Sequence, residues 1–206
     1  SSIEAHGKKI TRIATQLSED ELVPGSGFRF HGIDFSLAPY PEPAISIGAA
    51  LESLTGLPLG AAGTLVAAAT LTDAIQQAEF PHAGFCGLMM PVLEDNVLAQ
   101  RAAEGRLHIG ELLQWSAVCG TGLDTVPLPG DVSKSALKRL LFDVAALSIR
   151  LGKPLTARLM PLPGKSAGDS VHFDFPYFAD SGVLPLDQGD EVGPLERTGK
   201  LTLSRY

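Results

Sequence analysis

Helix-type and strand-type hydrophobic patterns alternate along the chain as far as Leu162, and this order is typical of α/β proteins. The clearest helix is predicted from Val132 to Leu151, where leucine and valine recur at helical spacing and Gly152 can end the helix. An apolar strand, Leu155 to Leu162, follows it. A second helix, Gly60 to Ala78, is apolar nearly all round, which predicts burial on several sides. We therefore expect an α/β fold with helices packed around a central sheet.

Composition restricts the class of protein. The chain has 206 residues, 45% of them hydrophobic and 19% charged, which is enough for one domain with a real core. The formal net charge is -7 and the basic residues are scattered, so the sequence predicts no nucleic-acid partner. No apolar run reaches the roughly 20 residues that cross a bilayer, so no membrane partner is predicted. Cys86 and Cys119 lie far apart in apolar segments, which favours free thiols and a cytoplasmic setting.

The segment from Cys119 to Asp131 contains a thiol, two carboxylates and three glycines within thirteen residues. Its prolines, Pro127 and Pro129, predict a turn, because proline lacks the N–H that a central strand needs. So much chemistry in one connection indicates a site. The segment does not by itself identify a reaction.

Four acidic residues are the main candidates for that site. Carboxylates that converge at strand ends could bind Mg²⁺ or Ca²⁺, or could exchange a proton with a substrate. These residues, proposed as metal ligands, are Asp34, Glu94, Asp95 and Asp124. Helix capping is the alternative for Asp95 and for Asp131, since each directly precedes a predicted helix. Asp34 and Asp124 therefore carry the functional hypothesis, and we expect them to share a pocket with Glu94 or Asp95.

Two further side chains complete the candidate catalytic set. Cys119 could act as a nucleophile if a positive group lies nearby, although a buried structural cysteine is the commoner case. Lys165, with Arg158, could neutralise an anionic group on a substrate, or it could be a solvated loop lysine. Gly164-Lys165-Ser166 is not a phosphate-binding loop, because position 159 is leucine where that motif needs glycine.

Four motifs in order resemble domain-of-unknown-function family 711. They occupy residues 34–39, 87–95, 122–131 and 158–165. The resemblance implies a mixed α/β barrel similar to that of pyruvate formate-lyase and other glycyl radical enzymes. It also implies that residues 1–186 form the C-terminal portion of a longer barrel-like domain, followed by an exposed tail over 187–206. No glycyl radical motif occurs between Leu184 and Tyr206, so radical chemistry is not implied.

These observations leave two functions open. The first is an enzyme, a lyase or hydrolase, that acts on a small anionic substrate with Asp34 and Asp124 as acid–base groups or metal ligands. The second is a non-catalytic subunit or small-molecule-binding protein in which the same residues fix turns and helix starts. In either case, half a barrel would leave apolar surface open, so we expect an N-terminal companion fragment, a homo-oligomer, or both.

Overall fold

The computed structural model describes residues 2–19 and 30–189, together with 193, 197 and 202–204. The helices are α1 (Ser2–Glu19), α2 (Ile47–Thr55), α3 (Thr64–Gln76), α4 (Asn96–Ala103), α5 (Ile109–Ser116) and α6 (Lys134–Leu151), with a short 3₁₀ helix at Pro43–Ile45. The strands are β1 (Gly122–Pro129), β2 (Thr156–Leu162), β3 (Ser170–Val171) and β4 (Ser181–Gly182). Most of the tail predicted over 187–206 lies outside the described residues.

The centre of the fold is a β–α–β unit in which α6 connects two parallel strands, β1 and β2. All eight residues of β1 are buried, as expected for a strand covered on both faces. The prediction of a turn here is wrong. Although Pro127 cannot donate a hydrogen bond, its carbonyl accepts one from Leu184 N at 3.0 Å. Burial between neighbouring segments therefore outweighs the two missing N–H groups.

Two further segments continue this parallel arrangement beyond β1. Isolated parallel bridges pair Ile33 with His82 and Leu37 with Leu88. The second of these segments then lies against β1, since Val92 N donates to the carbonyl of Asp124 at 3.0 Å. Four segments, 33–37, 82–93, β1 and β2, thus run side by side in one direction.

The general α/β prediction is confirmed, because the described residues form helices and a small parallel sheet. The finer expectation was half of a mixed barrel similar to glycyl radical enzymes. The two sheets in the described ranges have two strands each, and no closed barrel forms there. The likeness to glycyl radical enzymes therefore has no support in this fold.

The core differs from the prediction at α3. One cluster of buried side chains extends from Ile47 to Leu184 and includes Trp115 and Leu128. The helix predicted over Gly60 to Ala78 begins only at Thr64, and its outer face is open: Leu65 is 42% and Val66 65% exposed. Burial on several sides is therefore wrong for this helix. No helix in the described part of the chain is long and apolar enough to cross a membrane.

Candidate functional site

Arg158 on β2 connects two of the predicted carboxylates. Its Nε donates to Asp124 Oδ1 at 2.5 Å, and its Nη2 lies 2.7 Å from Glu94 Oε1. Asp124 belongs to β1, and Glu94 follows segment 82–93. The ion pair therefore joins three neighbouring parallel segments.

An irregularity in the sheet lies at this arrangement. Leu123 pairs with Ala157 and Val126 with Leu159, so two residues of β1 face a single residue of β2, which is Arg158. One of those two is Thr125, whose φ of +44° is rare for a β-branched residue. Its buried hydroxyl accepts from Leu93 N at 3.1 Å, which holds the neighbouring segment in place. Backbone strain of this kind is concentrated at functional sites.

The three charged side chains differ in their exposure to solvent. The Asp124 side chain is 10% exposed, Glu94 28% and Arg158 50%. Hydrogen bonding to Asp124, followed by its negative charge and that of Glu94, raises the pKa of Arg158, which therefore stays charged. With both carboxylates ionised the group carries a net charge of −1. The Nη1 nitrogen of Arg158 makes no hydrogen bond or ion pair with any residue that the structure describes.

Arg158 and Glu94 line an open cleft of about 380 Å³. The rest of the lining consists of ring side chains: Pro39, Tyr40, Pro41, Phe175, Tyr177 and Phe178. The volume of the cleft and the composition of its lining match the usual small-molecule site, which is largely apolar with a few polar groups that orient the ligand.

Asp95, by contrast, is a structural residue. Its buried carboxylate caps α4 by accepting from Val97 N and Leu98 N, each at 2.9 Å. The same carboxylate accepts from Ser46 Oγ, Ile47 N and Gly48 N, at 2.8, 2.6 and 3.2 Å, at the start of α2. The capping alternative is therefore confirmed for Asp95, whose two oxygens serve two helices.

Asp34 lies in a different environment from Glu94 and Asp124. Its Oδ1 accepts from Ser36 Oγ at 2.5 Å and from Cys86 N at 2.9 Å. The Ser36 hydroxyl, then the backbone N–H groups of Cys86 and Phe85, lower the pKa of Asp34. No described contact joins Asp34 to Arg158 or its carboxylate partners. The structure thus brings together Glu94 and Asp124, whereas Asp34 lies in segment 33–37 and is hydrogen-bonded to Ser36 and to the backbone of Cys86.

Cys119 and Lys165 also have local partners. Cys119 is a buried free cysteine, and its carbonyl accepts from Lys153 Nζ, which also reaches Ser116 O at 3.1 Å. These contacts are to backbone carbonyls, and burial lowers the pKa of Lys153. Lys165 Nζ donates to Ser170 O at 2.9 Å within its loop. Neither side chain lines the cleft beside Arg158.

The metal hypothesis gains no support from this geometry. Within the described ranges, no group of three or more His, Cys, Asp or Glu side chains is placed to hold a metal ion. Glu94 and Asp124 instead share the guanidinium of Arg158. From the sequence, Arg158 is expected only as an accessory to Lys165, and the aromatic segment after Val171 has no predicted role.

Comparison with known proteins places this site in a family. A family described as "Uncharacterised ACR (DUF711)" matches residues 1–180. A UPF0210 protein of Pyrobaculum aerophilum is 40% identical over 197 residues, 93% of this chain and 43% of the relative. Those of Pyrobaculum arsenaticum and Methanosarcina barkeri are 42% and 32% identical, over 78% and 94% of this chain and 37% and 43% of the relatives. The chain therefore spans about two fifths of the length of these curated relatives. No solved structure matches it.

Proposed function

The chain belongs to the DUF711 family, and we propose that Arg158, Glu94 and Asp124 form the polar centre of an enzyme site for a small molecule. The family is described as uncharacterised, so the proposal rests on geometry. One observation carries it: a half-exposed arginine, held by one carboxylate from the adjacent strand and one from the turn beside it, faces an aromatic cleft of about 380 Å³. An ion pair between arginine and carboxylate that only stabilised the fold would not have to border such a cleft.

Each of the three side chains has a distinct role in this proposal. Asp124 is a positioning residue, because it is buried and fixes the guanidinium through Nε. Arg158 binds and polarises an oxygen of the substrate through its remaining N–H groups. Glu94, at the cleft surface, exchanges a proton with the substrate as general acid or base. The chemistry that these groups support is polarisation of a carbonyl with proton transfer at the neighbouring carbon, as in lyases, or from an attacking water, as in hydrolases.

Loss of Arg158 should weaken ligand binding. We expect Arg158→Leu to weaken binding of small polar probes at least about tenfold, the usual effect of removing a charged hydrogen-bonding partner. Arg158→Lys keeps the charge but loses the planar fork, so it should recover only part of the affinity. The measurement is saturation-transfer NMR on the whole chain with acetate, inorganic phosphate and acetamide as probes.

The matched control is Arg106→Leu, which removes another arginine that is paired with a single carboxylate, Glu104, outside the cleft. Thermal unfolding should first establish that each variant is folded. The proposal is overturned if none of the three probes binds, or if Arg158→Leu and Arg106→Leu change probe binding equally.

A groove between α2 and α3 is a candidate binding surface for the partner that the sequence predicts. Leu54 on α2 is 56% exposed and borders a cavity of about 270 Å³, together with Val66 on α3. Because the chain spans only about two fifths of its relatives, we propose that the remaining part of such a protein packs on this apolar groove.

Co-expression tests this proposal. The part of the Pyrobaculum aerophilum relative outside the match should be captured by the tagged chain, and Leu54→Glu with Val66→Glu should reduce that capture at least about tenfold, because a charge in an apolar interface is strongly unfavourable. Leu141→Glu on α6, where Leu141 is 45% exposed, is the control and should leave capture unchanged. Lack of capture by the unmodified chain would contradict the proposal. A dimer of the chain alone, broken by the same substitutions, would assign the groove to a second copy instead.

A further inference from the structure

We infer that the ligand of the Arg158 cleft is a flat aromatic or heteroaromatic ring that carries a carbonyl and an N–H side by side, as in a lactam. This inference rests on the proposed function and specifies its substrate class. It follows from the walls of the cleft and from the hydrogen-bonding groups at its charged end.

The walls of the cleft are rigid rings. Six of its eight lining residues are proline, tyrosine or phenylalanine. Phe175 contacts Tyr177 and Phe178 with ring centroids 5.2 and 5.0 Å apart, and Tyr177 meets Tyr40 edge-on at 5.7 Å. Tyr40 follows the extended segment 33–37, so the wall is built from two separate parts of the chain. Such walls favour a flat ligand, because aromatic rings stack or meet edge-on at these spacings.

The aromatic wall is fixed relative to the charged end. The loop over 172–180 begins and ends at the paired strands β3 and β4. His172 Nδ1 lies 2.7 Å from Asp180 Oδ1 at its neck, and Ala179 N donates to Leu93 O at 2.8 Å. Leu93 directly precedes Glu94, so the loop and the carboxylate are positioned by one short segment. A ligand that stacked on the loop would therefore meet Glu94 at a defined place.

The charged end favours a ligand with both an acceptor and a donor. Nη1 of Arg158 offers N–H groups, and Oε2 of Glu94 has no hydrogen-bond partner among the described residues. A simple anion would approach a group whose net charge is −1, which disfavours it relative to a neutral group. A ligand with a carbonyl that accepts from Arg158 and an adjacent N–H that donates to Glu94 would satisfy both side chains without adding charge.

Exposure of the rings also indicates an occupant. Phe175 is 48% and Tyr177 54% exposed, although both are large apolar side chains at the edge of a cleft. A planar ligand would cover these faces and remove their contact with water. A protein surface could cover them too, and the experiment below separates the two.

Three rings of equal size form the test. The probes are 2-pyridone, its N-methyl derivative, which lacks the N–H, and 2-piperidone, which is a lactam without aromaticity. We expect 2-pyridone to bind the whole chain at least about fivefold more tightly than either of the others, since one hydrogen bond or one stacking contact is worth about that factor. Titration by NMR measures the three affinities.

Two sets of variants locate the effect. Phe175→Leu with Tyr177→Leu keeps apolar volume but removes the rings, and should lower the affinity for 2-pyridone at least about threefold. Phe142→Leu on α6, outside the cleft, should leave it unchanged. Glu94→Gln should reduce the preference for 2-pyridone over its N-methyl derivative, because the amide is a weaker acceptor than the carboxylate.

These experiments distinguish failure of the inferred ligand class from failure of the proposed function. If acetamide binds in an Arg158-dependent manner but 2-pyridone and 2-piperidone bind equally, the site stands and the aromatic ligand class is overturned. If no probe of either set binds, both are overturned. If the ring variants leave 2-pyridone binding unchanged but abolish capture of the companion polypeptide, the rings are a protein-docking surface and this inference is wrong.

Discussion

Replacing Asp95 by alanine is expected to lower the free energy of unfolding by about 3–5 kcal/mol. The substitution removes all five hydrogen bonds that this buried carboxylate accepts, and it leaves the first N–H groups of both α2 and α4 without partners. Loss of a single N-cap costs about 1 kcal/mol, and here two caps are lost inside the protein. Urea denaturation followed by circular dichroism measures the effect.

Asp95→Asn and Asp143→Asn are the controls for this prediction. In Asp95→Asn one oxygen becomes an NH₂ group that must face either the donors of α2 or those of α4, so we expect a substantial but smaller loss. Asp143 is exposed on α6, and Asp143→Asn should change stability by no more than about 0.5 kcal/mol. A loss below about 1 kcal/mol for Asp95→Ala would contradict the double-cap interpretation.

Local sequence rules predicted the long helix α6 and its C-terminal cap. The helix predicted from Val132 to Leu151 is observed from Lys134 to Leu151, and it ends at the predicted Gly152 but is capped at its start by Ser133 and not by Asp131. Capping and periodicity depend on residues within one or two turns, so they can be read from a short stretch of sequence. The capping role of Asp95 could be predicted for the same reason. Its second role, at α2, could not, because Ser46 lies 49 residues away.

The central strand and the site depend on contacts between distant residues. β1 could not be predicted from the sequence. The local preference of Pro127 and Pro129 opposes a strand, whereas pairing with β2 favours one. Arg158 and Asp124 are 34 residues apart, and they meet because the parallel pairing of Leu123 with Ala157 brings the next residue of each strand together. No periodicity in the sequence records that pairing. The aromatic wall of the cleft also depends on distant residues, since Tyr40 and Tyr177 come into contact only in the folded chain.

Gly122→Ala should be the other strongly destabilising substitution, with an expected loss of about 3 kcal/mol. Gly122 begins β1 at φ +98°, a conformation that costs an L-residue about 1–2 kcal/mol. A Cβ there would also lie 2.5 Å from Thr156 O and 3.0 Å from Thr156 N. Both atoms are backbone, so relief requires β1 and β2 to move apart, and overpacking of this kind costs about 1–3 kcal/mol.

Gly105→Ala separates these two contributions. Gly105 has φ +68°, but no atom lies within 4 Å of the Cβ position, so only the conformational cost of about 1–2 kcal/mol should appear. Urea denaturation compares the two variants, and equal losses would show that the close approach of β1 to β2 is unimportant. Because Gly122 lies two residues before Asp124, Gly122→Ala should also weaken probe binding at Arg158, whereas Gly105→Ala should not. The spacing of two parallel strands would then determine both the stability of the β–α–β unit and the geometry of its ion pair.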